Sequence, residues 1–160
     1  MSDNGSSNGQ QGVGRLADFL PYQLSVTSNA LSGHIARQYR ARFGLKIPEW
    51  RVMAVLGDSG AATQRDLAEA TLMDKVAVNR ACKVLEDRKL IVRQPNSQDG
   101  RSHLLELTEE GCNVHREVMP MVRRLEREVF AALDSEDEQR FREILRRISD
   151  QVAGLADKYE

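Results

Sequence analysis

The sequence predicts a mainly α-helical chain with a small β-hairpin wing, a winged helix-turn-helix carried between N- and C-terminal dimerisation helices. Three observations lead there. Residues 63–88 hold two apolar stripes at helical spacing with a short turn between them. Two strand-like runs follow, Ile91–Gln94 and His103–Leu107, joined by the polar segment Asn96-Ser97-Gln98-Asp99-Gly100. Long one-sided helical patterns lie on either side of this block.

Met1 to Gly14 is almost entirely Gly, Ser, Asn and Gln, too polar to offset its ordering entropy, so residues 1–17 are expected to be a disordered tail. Order is expected from Asp18, and Leu20, Leu24, Leu31 and Ile35 predict a first helix to Phe43, stopped by Gly44. Residues 18–46 thus form the N-terminal part of the dimerisation region. Pro48 suits a first turn, and a second helix over Glu49–Leu56 buries Trp50 or Val52, Met53 and Leu56. Thr63 caps a third helix over Gln64–Ala70, and Asp74 caps a fourth reaching Asp87 or Arg88. The first strand breaks at Pro95, and the whole reading domain is 47–107. Thr108 then caps a helix running to Leu133, with Glu109 and Glu110 at its positive end and Pro120 expected to kink or restart it. Ser135 opens a last helix to Tyr159, with Phe141, Ile144, Leu145, Ile148, Val152 and Leu155 on one face. Residues 108–160 are the C-terminal dimerisation helices.

A chain of 160 residues can bury a real core without staples, and its net charge of −1 does not by itself announce a nucleic-acid partner. The charge is unevenly spread, however. Lys75, Arg80, Lys83, Arg88, Lys89, Arg93 and Arg101 crowd one segment, while acids gather from Asp134 to Glu138. Cys82 and Cys112 and the absence of a signal-like start predict a reducing cytoplasm, and no apolar run approaches the ~20 residues of a membrane span. No enzyme is expected: there is no Gly-rich phosphate loop, no H-E-x-x-H and no G-x-S-x-G, and no catalytic residue is assigned.

The fourth helix can be phased. Val78, Ala81, Cys82 and Leu85 form the packed side, which leaves Val76, Asn79, Arg80 and Lys83 on the other. Arg suits guanine edges, Asn suits adenine, and a small apolar group suits the thymine methyl, so Val76, Ala77, Asn79 and Arg80 are candidate base readers in a major groove. Lys75 and Lys83 are candidate phosphate contacts, as are Thr63 and Gln64 at the start of the third helix. At the hairpin tip Arg101 can enter an A·T-rich minor groove, with Asp99 pairing to hold its direction. The competing readings are a solvated helix face, a plain Asp-Gly turn and a simple Thr63 cap.

These residues resemble the MarR family of bacterial winged helix-turn-helix transcription regulators. Asp99-Gly100-Arg101 followed by Leu107-Thr108-Glu109-Glu110-Gly111 is similar to the family's D-x-R wing and L-T-x-x-G helix start. Leu67-Ala68 through Leu85-Glu86 resembles its L-A helix and the recognition helix ending in L-E. The resemblance implies a homodimer whose terminal helices form the base, which represses nearby genes and leaves DNA when a small, often aromatic, ligand binds between base and reading head. Lys89 stands where the family usually has Gly, and Val76 and Ala77 replace small hydroxyl residues.

The apolar stripes of the terminal helices independently favour a second copy, an intramolecular bundle being the alternative. Such a dimer calls for double-stranded DNA with an inverted-repeat operator. Ser28, Asn29, His34, Arg37 and Trp50 are the candidate effector-binding residues, because the family's pocket usually forms there. His34 and Arg37 suit a carboxylate and Trp50 suits an aromatic ring, such as an aromatic acid or its coenzyme A thioester. The competing reading has Trp50 in the core, Arg37 solvated and His34 in a hydrogen bond on the helix surface. Cys112 and His115, with His103 nearby, offer half a metal site, and zinc needs four ligands, so no metal and no cofactor are expected. The rival readings are a winged helix that binds protein rather than DNA, and a redox- or metal-responsive regulator.

Overall fold

In the computed structural model the described residues are 14–156, and they fall into two compact units, Met1–Ile47 and Pro48–Glu160. The tail expected to be disordered lies, up to residue 13, outside the described residues. A 3-10 turn at Leu16–Asp18 opens the first unit, two residues before order was expected. It leads into α1 (Leu20–Phe43), which ends on Gly44 in the left-handed conformation (φ 64°). Gly44 is the residue that tolerates this geometry, and its N–H closes the helix on the Arg40 carbonyl at 2.9 Å.

The second unit begins in α2 (Ile47–Ser59), longer at both ends than the expected 49–56, with Trp50, Val52, Met53 and Leu56 all buried. It continues through α3 (Gln64–Thr71), α4 (Lys75–Asp87), β1 (Ile91–Pro95), β2 (His103–Leu107), α5 (Glu109–Phe130) and α6 (Ser135–Ala156). The strands pair antiparallel, Ile91 opposite Leu107 and Pro95 opposite His103. Pro95 therefore ends the strand from inside it. Its missing N–H is tolerated at the last position of a two-stranded edge, where no ladder bond beyond it is interrupted. The hairpin is also tied to the α2–α3 connection: Ala62 and Leu105 exchange both backbone hydrogen bonds, at 3.0 and 2.8 Å.

The core of this unit comprises Val52, Met53, Leu67, Val78, Cys82, Leu85, Leu105 and Val118, all fully buried. Gly111 has a steric assignment. A Cβ there would lie 1.9 Å from the carbonyl oxygen of Leu90, so the exit from α4 passes directly over the start of α5. Thr108 ties the same joint together. Its hydroxyl donates to the Lys89 carbonyl at 2.7 Å and accepts the Gly111 N–H at 3.0 Å, and its own N–H reaches the Leu90 carbonyl. Lys89 holds φ 58°, so a non-Gly residue does occupy the left-handed exit. Leu72, in the turn between α3 and α4, does the same at φ 53°.

The C-terminal helices differ from expectation in part. Pro120 does not interrupt α5. Its ring lies on the exposed side, while Val118 and Leu125 bury the helix on either side of it. The helix ends at Phe130 rather than Leu133, and Ser135 opens α6 as expected, with Asp134 before it as the cap, its Oδ1 accepting from the Asp137 N–H at 2.8 Å. The described part of α6 stops at Ala156, so the expected extension to Tyr159 lies outside the described residues. Among the described residues no helix is long and apolar enough to cross a membrane.

Candidate nucleic-acid interface

The apolar phase of α4 sets the site. Val78, Ala81, Cys82 and Leu85 are buried, which leaves Val76, Asn79, Arg80 and Lys83 exposed together on the opposite side. Lys75 is exposed in the first turn, and Ala77 is half-buried with its N–H capped by Asp74 Oδ1 at 2.8 Å. Among the described residues the side chains of Lys75, Arg80 and Arg101 make no hydrogen bond or ion pair. Lys83 has only a loose partner, Asp87 at 3.9 Å, with both groups well exposed. Such a pair contributes little and yields readily to a stronger anion.

The hairpin is fastened to this helix by charge. Arg93 on β1 donates twice to Glu86 at the end of α4, from Nε at 2.9 Å and from Nη2 at 3.1 Å. The Glu86 carboxylate raises the Arg93 guanidinium above its ordinary range. A two-point contact of this kind fixes orientation as well as distance. Between the hairpin and the start of α3 lies an open cavity of about 390 Å³, whose lining includes Thr63, Gln64, Arg65, Arg93, Arg101 and His103.

Asp99 has a different task from the one expected. Its Oδ1 accepts the backbone N–H of Arg101 at 3.1 Å, so it shapes the turn and leaves the Arg101 guanidinium free of it. Thr63 completes a capping box with Asp66: its hydroxyl accepts the Asp66 N–H at 3.2 Å, and the Asp66 carboxylate accepts the Thr63 N–H at 2.9 Å. These bonds hold the Asp66 carboxyl below its ordinary range. A carboxylate already seated at the head of α3 weakens the case for phosphate binding there through Thr63. Gln64 turns toward α4, where Nε2 donates to Asn79 Oδ1 at 3.2 Å.

Of the expected effector residues, Ser28, Asn29, His34 and Arg37 belong to the first unit and Trp50 to the second. Ser28 and Asn29 are exposed, and His34 Nδ1 lies 3.1 Å from Arg37 Nη2, so these two engage each other. Trp50 is buried, and one face is covered by the His115 ring, stacked with centroids 5.7 Å apart and planes 25° from parallel. The sequence offers His115 only as a metal ligand. Here its Nε2 is buried without a hydrogen-bond partner, and its ring leaves no space for a Cβ at Gly57. Nothing in the i, i+3 spacing from Cys112 signals this role, because the stacking partner is 65 residues away in sequence.

Burial lowers the His115 pKa, opposed by the nearby Asp58 carboxylate. A histidine whose folded pKa is depressed gives its full stability above the unfolded value of about 6.5. That stability declines as pH falls from there toward the folded pKa, then levels off. We expect the thermal midpoint to drop between about pH 7 and pH 5, and His115→Phe to flatten that part of the curve. An unchanged slope in the variant would assign the drop to other groups.

Cys82 is fully buried, and burial pushes its thiol up to about 11. The thiolate needed for reaction with oxidants is thus scarce, which removes this residue from the redox reading. Cys112 is half-buried and free. Among the described residues no three His, Cys, Asp or Glu side chains gather as a metal site.

Comparison with known proteins places this geometry. Residues 43–102 match the profile of the MarR family. The transcriptional regulator HosA of Escherichia coli O127:H6 is 26% identical over 115 residues, spanning 72% of this chain and 85% of HosA. The crystal structure of the MarR family regulator SPO1453 from Silicibacter pomeroyi DSS-3 superposes with a TM-score of 0.76 at 29% identity, over 87% of this chain and 98% of that one. BpsR of Bordetella bronchiseptica, whose DNA binding is regulated by 6-hydroxynicotinic acid, shares the fold with a TM-score of 0.77 at 24% identity, covering 87% and 99%.

Proposed function

We propose that this chain, whose residues 43–102 match the profile of the MarR family of transcription regulators, works as a homodimeric, ligand-released repressor bound to an inverted-repeat operator. The observation that carries this reading is the set of uncommitted cations, Lys75, Arg80 and Arg101, on α4 and the hairpin tip that Glu86 and Arg93 hold to it. In this reading α4 enters the major groove, Arg80 meets base edges, and Lys75 and Lys83 meet phosphates. Arg101 enters the flanking minor groove, where A·T-rich sequence deepens the negative potential.

Support for a two-fold dimer comes from apolar surface left bare in each unit. Leu16, Phe19 and Leu20 are exposed at the start of the chain's described part, and α6 buries none of its residues while Phe141, Ile144, Ile148 and Val152 stand exposed on it. A second copy covering these stripes sets two recognition helices about 34–36 Å apart, one turn of duplex. The effector class we propose is a small aromatic acid, the class of the compound that regulates BpsR. It must favour the DNA-incompetent form by about 1–3 kcal/mol to derepress. A thermal-shift series with hydroxylated aromatic acids and their thioesters tests that class, a rise in midpoint being the expected result.

The decisive experiment is binding of the purified protein to duplexes from its own genome as salt is raised. Affinity is expected to fall steeply with salt, and Arg101→Ala to weaken binding most where the flanks are A·T-rich. A protein-binding winged helix would ignore duplex DNA at low salt, and a sedimentation coefficient of one copy would remove the dimer.

A further inference from the structure

Gln64 opens α3, yet its side chain works on the recognition helix. Its Nε2 donates to Asn79 Oδ1 at 3.2 Å.

Asn79 is exposed on the same face as Val76, Arg80 and Lys83. An Asn side chain reads adenine by using both ends at once, the oxygen accepting from N6 and the nitrogen donating to N7. In this chain the oxygen is turned to α3. Among the described residues Asn79 Nδ2 has no hydrogen-bond partner, and this end, a double donor, is the one left for an outside group. A double donor suits paired acceptors, and in the major groove those are O6 and N7 of guanine.

We propose that Gln64 is a positioning residue that fixes which end of the Asn79 amide faces outward, so that Asn79 selects guanine rather than adenine. This rests on the DNA-binding reading above. It also reassigns Gln64 from a phosphate contact to a setter of base preference, acting through its neighbour.

The test is enrichment of a randomised duplex library by the full-length protein, sequenced for wild type, Gln64→Glu, Gln64→Met and Asn79→Ala. Gln64→Met keeps the length of the side chain without its donor, so it guards against a folding defect in the charged variant. Wild type is expected to enrich guanine at one position whose preference disappears in Asn79→Ala. Gln64→Met should broaden that position alone. Gln64→Glu offers an acceptor in place of the donor, so the Asn79 amide should reverse. Preference at that position should then move toward adenine or cytosine, whose amino groups donate, by about fivefold or more. Neither Gln64 change should matter in the Asn79→Ala background. A wild-type motif that the Gln64 variants leave unaltered, or alter evenly at many positions, overturns the inference while leaving the regulator reading intact. Failure of wild type to enrich any sequence overturns both, and it is distinguishable because it precedes any comparison of variants.

Discussion

Gly111→Ala is expected to lower the stability of the protein by about 3 kcal/mol, the upper end of the usual penalty for overpacking. In an open helix the same change helps, because Ala exceeds Gly in helix propensity by about 1 kcal/mol. The sign reverses here because the new methyl would sit 1.9 Å from the Leu90 carbonyl oxygen and 3.0 Å from its carbon. Both obstacles are backbone. Leu90 is buried, and its oxygen already accepts from the Thr108 N–H at 3.0 Å, so the chain cannot step aside without breaking the α4–α5 joint. Gly33→Ala within α1, where a Cβ would meet nothing within 4 Å, serves as the internal control and should be neutral or stabilising. Urea midpoints for the two variants measure the contrast. Equal midpoints would mean that the close approach at Gly111 is not made in solution.

Arg80→Ala is the second large effect. An exposed guanidinium with no partner in the protein is expected to contribute about 1–3 kcal/mol at one base position, and its loss should relax preference there. Lys83→Ala provides the comparison, because a phosphate contact carries no sequence information. It should lower affinity evenly across sequences and flatten the salt slope by about one unit. Competition binding on a panel of single-base operator variants separates the two. If Arg80→Ala weakens every variant by the same factor, Arg80 grips the backbone rather than reading a base.

Much of this fold was legible because it depends on local chemistry. The stripe Val78, Ala81, Cys82 and Leu85 is a period-3.6 pattern, and its burial followed as expected. The caps at Thr63, Asp74 and Thr108 are short-range bonds from side chain to backbone, readable from residue type and place. Contacts made by chain folding were not legible. The stacking of Trp50 on His115, the bridge from Ala62 to Leu105 and the bond from Gln64 to Asn79 each join residues far apart in sequence, and nothing in the local pattern names the partner. Pro120 left a kink and a restart both open, and the continuous helix from Glu109 to Phe130 excludes the restart, with Val118 and Leu125 buried on either side of it. The role of Asp99 was lost to a third ambiguity: a carboxylate beside a cation looks like an ion pair until its backbone donor is seen.

The two-point contact between Glu86 and Arg93 leaves the reading head without a joint. In the proposed regulator helix and hairpin would swing as one lever, so a signal arriving on the head would displace both grips together. Release from an operator would then proceed in one step, with no half-attached state in which the minor-groove hold outlasts the major-groove one.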